Sequence, residues 1–408
     1  MYYGSMYYLQ NPGGRIIQID DPSEKDKLMA AGFTIPSNEM IKDYQDKRAE
    51  LYNKTAINLG QQAAKPDGVY IATVSQGGKD GYSVASGAII DAMKRNGFPI
   101  STLNSNQPIA LLMHNPYSIL YLDAPYRVIY TMFESTQIPE DWVEYLNAAD
   151  MVIVPSKWCA DVFAKRGVKT TVVPLGYDDR YYFYHERENK RVARKDFKFL
   201  HYNAFNIRKG FVEVFKAFTQ EFNVDEPVRL VLKTNLRHIP LPIAKDKYPN
   251  IDIINEQMEP NQLMNLLSDC DAFVFPSRGE GFGMTPLEAM ATGMPTIIPN
   301  AHGISEYFNS EMCYEVKTNE TCPGLYHRYK GVDVGTMDIC SVDHLRQQMR
   351  YIYEHQDEAL EVGKKASTWA QNWTLTKTAR KLEDLFSKVL SQPIAPRKDS
   401  NILTFEQI

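Results

Sequence analysis

Short apolar runs alternate with amphipathic stretches along most of this chain, and the alternation limits the folds that it can adopt. The first series of strand-like runs is GVYIATVS (68–75), IALLMHN (109–115), YRVIYTMFE (126–134), MVIVPS (151–156) and TTVVPLG (170–176). The second series is FKFLHYNAF (197–205), RLVLKTN (229–235), IDIINEQ (251–257), AFVFPS (272–277), PTIIPN (295–300) and CYEV (313–316). Short β-branched and aromatic runs separated by helical stretches predict parallel sheets covered by helices on both faces.

The chain is long enough for two such domains, since 408 residues exceed the usual size of one. We predict a first domain over residues 66–177, a polar and charged linker over 178–196 and a second domain over 197–366. Residues 1–65 are an N-terminal extension of unknown role, with a predicted hairpin around Asn11–Gly14 and an amphipathic stretch over 37–64. The stretch 367–390 is predicted to be helical.

Composition excludes several classes of protein. No apolar run approaches the ~20 residues that cross a bilayer, and the N-terminus resembles no secretory signal, so we expect no integral membrane segment. Five cysteines without CxxC spacing favour reduced thiols and a cytoplasmic location. A net charge of −5 argues against a surface that coats nucleic acid generally.

The segment SRGEGFGMTPLEAMATG (277–293) follows a predicted strand with a glycine-rich turn and a helix. Thr285 is a predicted N-cap, Pro286 fits the first helical position, and Glu288 completes a capping box. Helix capping is therefore an alternative to ligand binding as the role of Glu288. Glu280 lies between two glycines on the turn, where a carboxylate is either exposed and idle or directed at ligand hydroxyls. Free N–H groups at such a strand-turn-helix junction bind anions.

Basic residues occupy equivalent junctions of the second series. Arg208 and Lys209 stand just before Gly210 at the start of a predicted helix, where cations oppose the helix dipole, and Lys233 ends a predicted strand. Each one taken alone is more often a solvated surface charge. Three at one sheet edge favour a phosphorylated ligand.

The segment FVFPSRGEGFGMTPLEAMATGMPTIIPNAHGISEYF closely resembles the E-x7-E region of family 4 of the retaining glycosyltransferases. RKGFVEVFKAF, VLKT, AADMVIVPSKWCADVFAKRGVKTTVVPLGYD and GGKDGYSVASGAIIDAMKRNG are similar to other parts of the same family, of bacteriophage or bacterial type. The resemblance covers roughly residues 68–390. It implies an α/β protein of the GT-B fold, with two Rossmann-like domains whose parallel sheets face each other across a cleft. It also implies that the helix at 367–390 returns to the first domain.

The same resemblance implies a role for each matching residue. Glu280 would bind hydroxyls of the transferred sugar, and Arg208 and Lys209 would neutralise the leaving diphosphate. Glu288 would bind the ribose of the nucleotide. The remaining residues expected at the sugar donor are Gly81, Lys233, Phe282, Gly283, Met284 and Thr285. The expected donor is a UDP-sugar, with no cofactor and no metal. Asp269 and Asp271 form a DxD, but they precede their strand and should lie at the wrong sheet edge for a metal in the cleft.

Two positions depart from the family pattern. Asn203 stands where the family often carries an arginine, so Arg208 or Lys233 is expected to supply that charge. Phe133 replaces the family's histidine, and the neighbouring Glu134 is a candidate catalytic residue in its place, with His114 as the alternative.

The sequence leaves several functions open. The first is retaining transfer of a sugar to a hydroxyl of a glycan, a lipid-linked sugar or a protein. The second is the same transfer onto hydroxymethylated bases of DNA. The basic segment KRVARKDFK (190–198) favours this alternative. The third is a sugar-nucleotide epimerase or a non-catalytic nucleotide-binding protein. The oligomeric state is not determined by the sequence.

Overall fold

The computed structural model describes most of the chain after residue 67 and short parts of the N-terminal region. The described residues are 7–10, 16–19, 29–30, 34–37, 40, 68–72, 81–102, 107–122, 124–187, 196–204, 206–234, 246–324, 326 and 332–395. Most of the predicted amphipathic stretch at 37–64 and the glycine-rich residues 73–80 lie outside them.

The N-terminal extension contains an antiparallel hairpin, as predicted. Strand β1 (Tyr7–Gln10) pairs with β2 (Ile16–Ile19), and Tyr7 lies opposite Ile19. Gln10 also forms an antiparallel bridge with Thr34.

The first domain is built on a parallel sheet of six strands in the order β4-β3-β5-β6-β7-β8. The strands are β3 (Val69–Ala72), β4 (Ile100–Ser101), β5 (Ile109–Met113), β6 (Tyr126–Tyr130), β7 (Met151–Val154) and β8 (Thr171–Val172). The helices are α1 (Gly81–Arg95), α2 (Trp142–Asn147) and α3 (Lys157–Ala164). All five residues of β5 are buried, as expected for a strand that is covered on both faces.

The second domain has its own parallel sheet of six strands in the order β11-β10-β9-β12-β13-β14. The strands are β9 (Phe197–Tyr202), β10 (Val228–Thr234), β11 (Ile251–Asn255), β12 (Ala272–Val274), β13 (Thr296–Ile298) and β14 (Tyr314–Glu315). The helices are α4 (Phe211–Glu221), α5 (Pro260–Asp269), α6 (Met284–Ala291) and α7 (Val342–Glu354). Between β14 and α7 lie β15 (Thr318–Pro323) and β16 (Thr336–Cys340), which pair antiparallel outside the main sheet. The prediction of two parallel sheets with flanking helices is confirmed.

The C-terminal region differs from the single helix predicted over 367–390. It contains α8 (Gln356–Ala370) and α9 (Leu375–Leu390) with a break between them. Helix α8 contacts the second domain, since Ser367 Oγ donates to the carbonyl of Ala291 at 2.7 Å. Helix α9 contacts the first domain, where Glu383 accepts a hydrogen bond from Asn96 at the end of α1. Thr374 caps α9, because its side chain accepts from the N–H of Lys377, and this cap fixes the start of α9.

The predicted linker is anchored at its start and near its middle, although its sequence is polar. Tyr182 is buried, and the Arg187 guanidinium is also buried and donates to the carbonyls of Leu267 and Cys270. Residues 188–195 lie outside the described part.

Three apolar clusters form the interior of the two domains. One lies in the first domain, one in the second, and the largest runs from α1 through α9 to α6. Among the described residues, no helix combines the length and the hydropathy that a membrane span requires.

Candidate functional site

The candidate site lies where the strand order of the second sheet reverses. From β9 the chain continues to β10 on one side, whereas β12 pairs with β9 on the other side. The loops that follow β9 and β12 therefore leave the sheet next to each other at its carboxyl edge. Crevices at such reversal points are the usual ligand sites of open α/β sheets. The loop after β9 carries Arg208 and Lys209, and the loop after β12 carries Glu280.

Glu280 is the centre of this site, and its carboxylate is nearly buried. Its side chain is 7% exposed, and three donors converge on one oxygen, Oε1. Lys209 Nζ lies at 2.7 Å, Ser277 Oγ at 2.7 Å and the Arg208 guanidinium at 3.2 Å. Among the described residues, no donor reaches the other oxygen, Oε2. The carboxylate is therefore held firmly through one atom while the second can accept from a ligand.

The charges around Glu280 keep it ionised. Burial by itself would raise the pKa of this carboxyl, but Lys209, Arg208 and the hydrogen bonds from Lys209 and Ser277 outweigh it and lower the pKa to about 2. Burial lowers the pKa of Lys209, an effect that the charge of Glu280 opposes. The carboxylate of Glu280 is thus stabilised as an anion by the two basic side chains beside it.

Glu134, from the first domain, reaches the same cluster. One carboxylate oxygen lies 3.5 Å from the Arg208 guanidinium. The other accepts a hydrogen bond from the hydroxyl of Tyr326 at 3.0 Å. All four residues predicted as catalytic therefore lie together, three from the second domain and one from the first.

The two glycines that flank Glu280 are needed for close contact between the domains. A Cβ on Gly279 would overlap the backbone carbonyl of Glu134, and a Cβ on Gly281 would overlap the side chain of Met132. Ser156, which caps α3 in the first domain, donates to the carbonyl of Gly281 at 2.8 Å. The first domain therefore packs directly on the turn that carries Glu280.

Helix α6 begins at Met284, two residues before the predicted first residue Pro286, and this corrects the capping-box prediction. The N-cap is Gly283, whose φ of 86° is the left-handed conformation that glycine adopts without strain. No side chain caps the helix, so neither Thr285 nor Glu288 has the predicted capping role. The first-turn N–H groups at Met284 and Thr285 have no partner within the helix. The interpretation of Glu288 as a helix-capping residue is therefore wrong.

The loop before α6 is fixed by packing. Phe282 is buried against the ring of Tyr307, and the Tyr307 hydroxyl donates to the carbonyl of Gly283 at 2.7 Å. The predicted contact residues Phe282 and Gly283 thus hold the loop shape, while Met284 and Thr285 are half-buried at the helix start.

Glu288 occupies an environment unlike that of Glu280. It is buried, and no hydrogen-bond partner of its carboxyl is found among the described residues. Burial, and after it the charge of Asp178, raises its pKa to about 8. Tyr182 and Tyr202 lie close to it, since burial and then the charge of Glu288 raise the pKa of both phenols. A carboxyl of this kind is largely neutral at pH 7 and can both donate and accept a hydrogen bond.

Lys233 and Gly81 stand apart from the Glu280 cluster. Lys233 is buried at the end of β10 and donates to the carbonyls of Thr234 and Glu256, at 2.9 and 2.6 Å. Gly81 begins α1 and faces Met284, whose methyl carbon lies 3.8 Å from the site of an added Cβ. His114, the alternative to Glu134, packs its ring against Tyr82 at 5.4 Å.

The DxD aspartates lie at the opposite edge of the second sheet. Asp271 accepts from the backbone N–H of Lys198, and Asp269 accepts from the Lys198 ammonium, at the start of β9. No group of three or more potential metal ligands among His, Cys, Asp and Glu occurs in the described part of the chain.

Sequence reasoning missed three residues of this site. Ser277 bonds Glu280, Tyr326 bonds Glu134, and His302 lies 3.1 Å from the carbonyl of Ser277 through its Nε2. His302 has a φ of 41°, uncommon for a residue other than glycine, and burial lowers its pKa to about 4. The position of His302 soon after a buried strand could have indicated a site residue. Tyr326 lies 192 residues from Glu134, and no sequence pattern links the two.

A comparison with protein families finds a similarity over part of the chain. Residues 184–319, which include Arg208, Lys209, Glu280 and Glu288, match the family described as glycosyl transferases group 1. The match covers less than half of the chain and shows that this region is similar to that family.

Curated relatives agree with the family match. ORF313 of Acidianus filamentous virus 1, named as a candidate glycosyltransferase, is 27% identical over 187 residues, which are 44% of this chain and 54% of the relative. The O-antigen biosynthesis glycosyltransferase WclY of Escherichia coli is 31% identical over 151 residues, or 36% of this chain and 38% of WclY. The chain thus spans about half, or less, of the length of these relatives.

Solved structures show the same fold. The HepE protein of Anabaena in complex with UDP superposes with a TM-score of 0.57 and 13% identity, covering 79% of this chain and 100% of that one. Sucrose-phosphate synthase from Thermosynechococcus elongatus gives a TM-score of 0.55 and 15% identity, covering 76% of this chain and 79% of the other. The expected GT-B fold is confirmed.

Substitution of Gly279 tests the close contact between the domains. We expect Gly279→Ala to lower the free energy of unfolding by about 1–3 kcal/mol, because its Cβ meets a backbone carbonyl that cannot rotate away. Chemical denaturation measures this. Gly87→Ala is the matched control, since an added Cβ at that helical position meets nothing within 4 Å and should stabilise by about 0.5–1 kcal/mol. Equal stability of the Gly279 variant and wild type would contradict the described packing.

The raised pKa of Glu288 gives a prediction for pH dependence. Between its usual value of 4.5 and about 8, the folded state binds more protons at Glu288 than the unfolded state does. The free energy of unfolding should therefore fall as pH rises through this window, by at most about 1.4 kcal/mol per pH unit. Urea unfolding at about pH 6 and pH 7.5 should show this fall in wild type and in the exposed control Glu311→Gln. In Glu288→Gln the fall should be smaller by up to about 2 kcal/mol, and an unchanged fall would refute the assignment.

Proposed function

We propose that this protein is a retaining glycosyltransferase that moves a sugar from a nucleotide-diphosphate sugar, with UDP as the nucleotide, to an acceptor hydroxyl. The observation that carries the proposal is the buried cluster at the reversal point of the second sheet. There Glu280 is held through Oε1 by Lys209, Ser277 and Arg208, beside a helix whose N-terminus has no side-chain cap. The family match and the fold support the same chemistry.

The cations and the helix would act on the diphosphate of the sugar donor. The bond between the sugar and the diphosphate breaks during transfer, and the leaving phosphate gains negative charge. Arg208 and Lys209, together with the first-turn N–H groups of α6, supply positive charge that is already oriented. Charge stabilisation of this kind lowers the barrier without reorganisation at the moment of reaction.

The carboxylates would orient the two ends of the sugar donor. Glu280 offers Oε2 to hydroxyls of the transferred sugar. Glu288 would bind the ribose hydroxyls, and its buried position near Tyr182 and Tyr202 supports a role in holding the nucleoside. Of the other predicted contacts, the N–H groups of Met284 and Thr285 would meet the diphosphate, and Gly81 faces Met284 from the first domain.

The electrostatics of Glu280 favour a mechanism without a covalent intermediate. A carboxylate whose pKa is lowered to about 2 by two cations and a hydroxyl is a weak nucleophile. Retention would then follow if the acceptor hydroxyl attacks the face from which the diphosphate departs. The leaving phosphate oxygen takes the proton of the acceptor hydroxyl. The new glycosidic bond forms as the sugar-phosphate bond breaks, so that charge and protons balance.

We propose a glycan hydroxyl as the acceptor. Support comes from the names of two relatives, the O-antigen glycosyltransferase WclY and the lipopolysaccharide core mannosyltransferase LpsB of Rhizobium meliloti. LpsB is 58% identical over 36 residues, which are 9% of this chain and 10% of LpsB. A net charge of −5 agrees better with a sugar acceptor than with DNA. Transfer to hydroxymethylated DNA in a parallel assay would overturn this acceptor assignment, and acceptor-free isomerisation of the sugar donor would overturn transfer itself.

Substitution of Glu280 separates sugar contact from nucleotide contact. We expect Glu280→Gln to lower kcat for transfer by about 10²-fold or more, since its carboxylate orients the reacting sugar. Affinity for UDP, measured by calorimetry, should stay equal or increase, because removal of one negative charge leaves Lys209 and Arg208 free for the diphosphate. The exposed Glu311→Gln should change neither quantity. Loss of UDP affinity in Glu280→Gln would show that the sugar assignment is wrong.

We further propose that transfer needs no metal ion, because Arg208, Lys209 and the N-terminus of α6 supply the positive charge. Transfer measured with excess EDTA should retain at least about half of the rate without EDTA, since these fixed charges remain in place. A metal-dependent transferase in the same buffer serves as the control for chelation. Loss of transfer with recovery on addition of magnesium or manganese would refute the proposal.

A further inference from the structure

The pair of strands β15 and β16 joins the second domain to the first. It lies outside the parallel sheet, and its partner is the segment that follows β6 in the first domain. The Thr136 N–H donates to the carbonyl of Thr336 at 3.0 Å, and the Thr336 N–H donates to Thr136 Oγ1 at 2.8 Å. Ser135 Oγ donates to the carbonyl of Val334 at 2.6 Å. These bonds fix the register between the hairpin and the first domain.

Apolar packing strengthens this attachment. Val334 is only 2% exposed and belongs to the same apolar cluster as Trp142 and Phe163 of the first domain. Gly335 has a φ of 74°, and an added Cβ there would overlap Thr136. A residue of the second domain is therefore part of the core of the first.

Tyr326 extends this attachment to the candidate site. Its ring packs against Phe133 with centroids 5.1 Å apart, and its hydroxyl donates to Glu134 Oε2 at 3.0 Å. The other oxygen of Glu134 lies 3.5 Å from Arg208, which in turn contacts Glu280 at 3.2 Å. Burial raises the pKa of Tyr326, and the charge of Glu134 raises it further, so the phenol keeps its proton.

We propose that Tyr326 is a positioning residue that acts through Glu134. Its hydroxyl holds one oxygen of Glu134 and so limits how closely that carboxylate pairs with Arg208. The Arg208 guanidinium then remains available to the diphosphate of the nucleotide. Without the hydroxyl, Glu134 turns fully to Arg208 and competes with the diphosphate for it. This inference rests on the proposed function, because it takes a diphosphate as the ligand of Arg208.

UDP affinity, measured by calorimetry on the full chain, tests the proposal without any need for turnover. Tyr326→Phe keeps the ring on Phe133 and removes the hydroxyl, and it should weaken UDP binding by about tenfold, as expected for one hydrogen bond to a charged group. Glu134→Gln in the same background should restore UDP affinity to that of Glu134→Gln alone. Tyr351→Phe is the matched control, since it removes an exposed phenol-to-carboxylate hydrogen bond to Glu358 and should leave UDP affinity unchanged.

Two results would overturn the proposal. One is UDP affinity within about twofold of wild type in Tyr326→Phe, since a hydrogen bond to a charged group should be worth more. The other is weakened affinity that Glu134→Gln fails to restore, which would show a structural role only. A wild-type protein that binds UDP but transfers no sugar would refute the proposed function and leave this comparison valid.

Discussion

The burial of a charged glutamate is the interaction on which the candidate site depends. An ionised carboxylate that leaves water loses several kcal/mol of solvation unless cations and hydrogen bonds replace the water. Glu280 receives Lys209, Arg208 and Ser277 on one oxygen, so the replacement is concentrated there. The three donors come from loops on either side of the sheet reversal. The charge cluster therefore depends on the sheet topology, which brings these two loops together.

The site also depends on how closely the two domains approach. Gly279 and Gly281 let the backbone that follows β6 lie directly on the turn that carries Glu280. The same approach brings Glu134 to Arg208 and lets Val334 enter the core of the first domain. Because these contacts share one short segment of the first domain, displacement of that segment would alter the charge cluster as well as the packing.

Two glutamates eight positions apart acquire opposite properties from their surroundings. Beside two cations, Glu280 has its pKa lowered to about 2, whereas burial near Asp178 raises that of Glu288 to about 8. One is a permanent anion and the other is largely neutral at pH 7. Such a pair can bind two chemically different parts of one ligand, as divergent carboxyl environments do in many enzymes.

The sequence by itself determined the fold class and most of the members of the site. Alternation of apolar runs predicted both parallel sheets, and the spacing of glycines and charges indicated Glu280, Arg208 and Lys209, because such patterns reflect local backbone and strand-end chemistry. Tertiary structure decided the rest. It placed the N-cap of α6 at Gly283 instead of Thr285, and split the C-terminal segment between two domains. It also brought Tyr326 to Glu134 across 192 residues. These outcomes depend on contacts between segments that are distant in sequence. The burial and the electrostatic surroundings of a side chain at such a contact arise only when the chain folds.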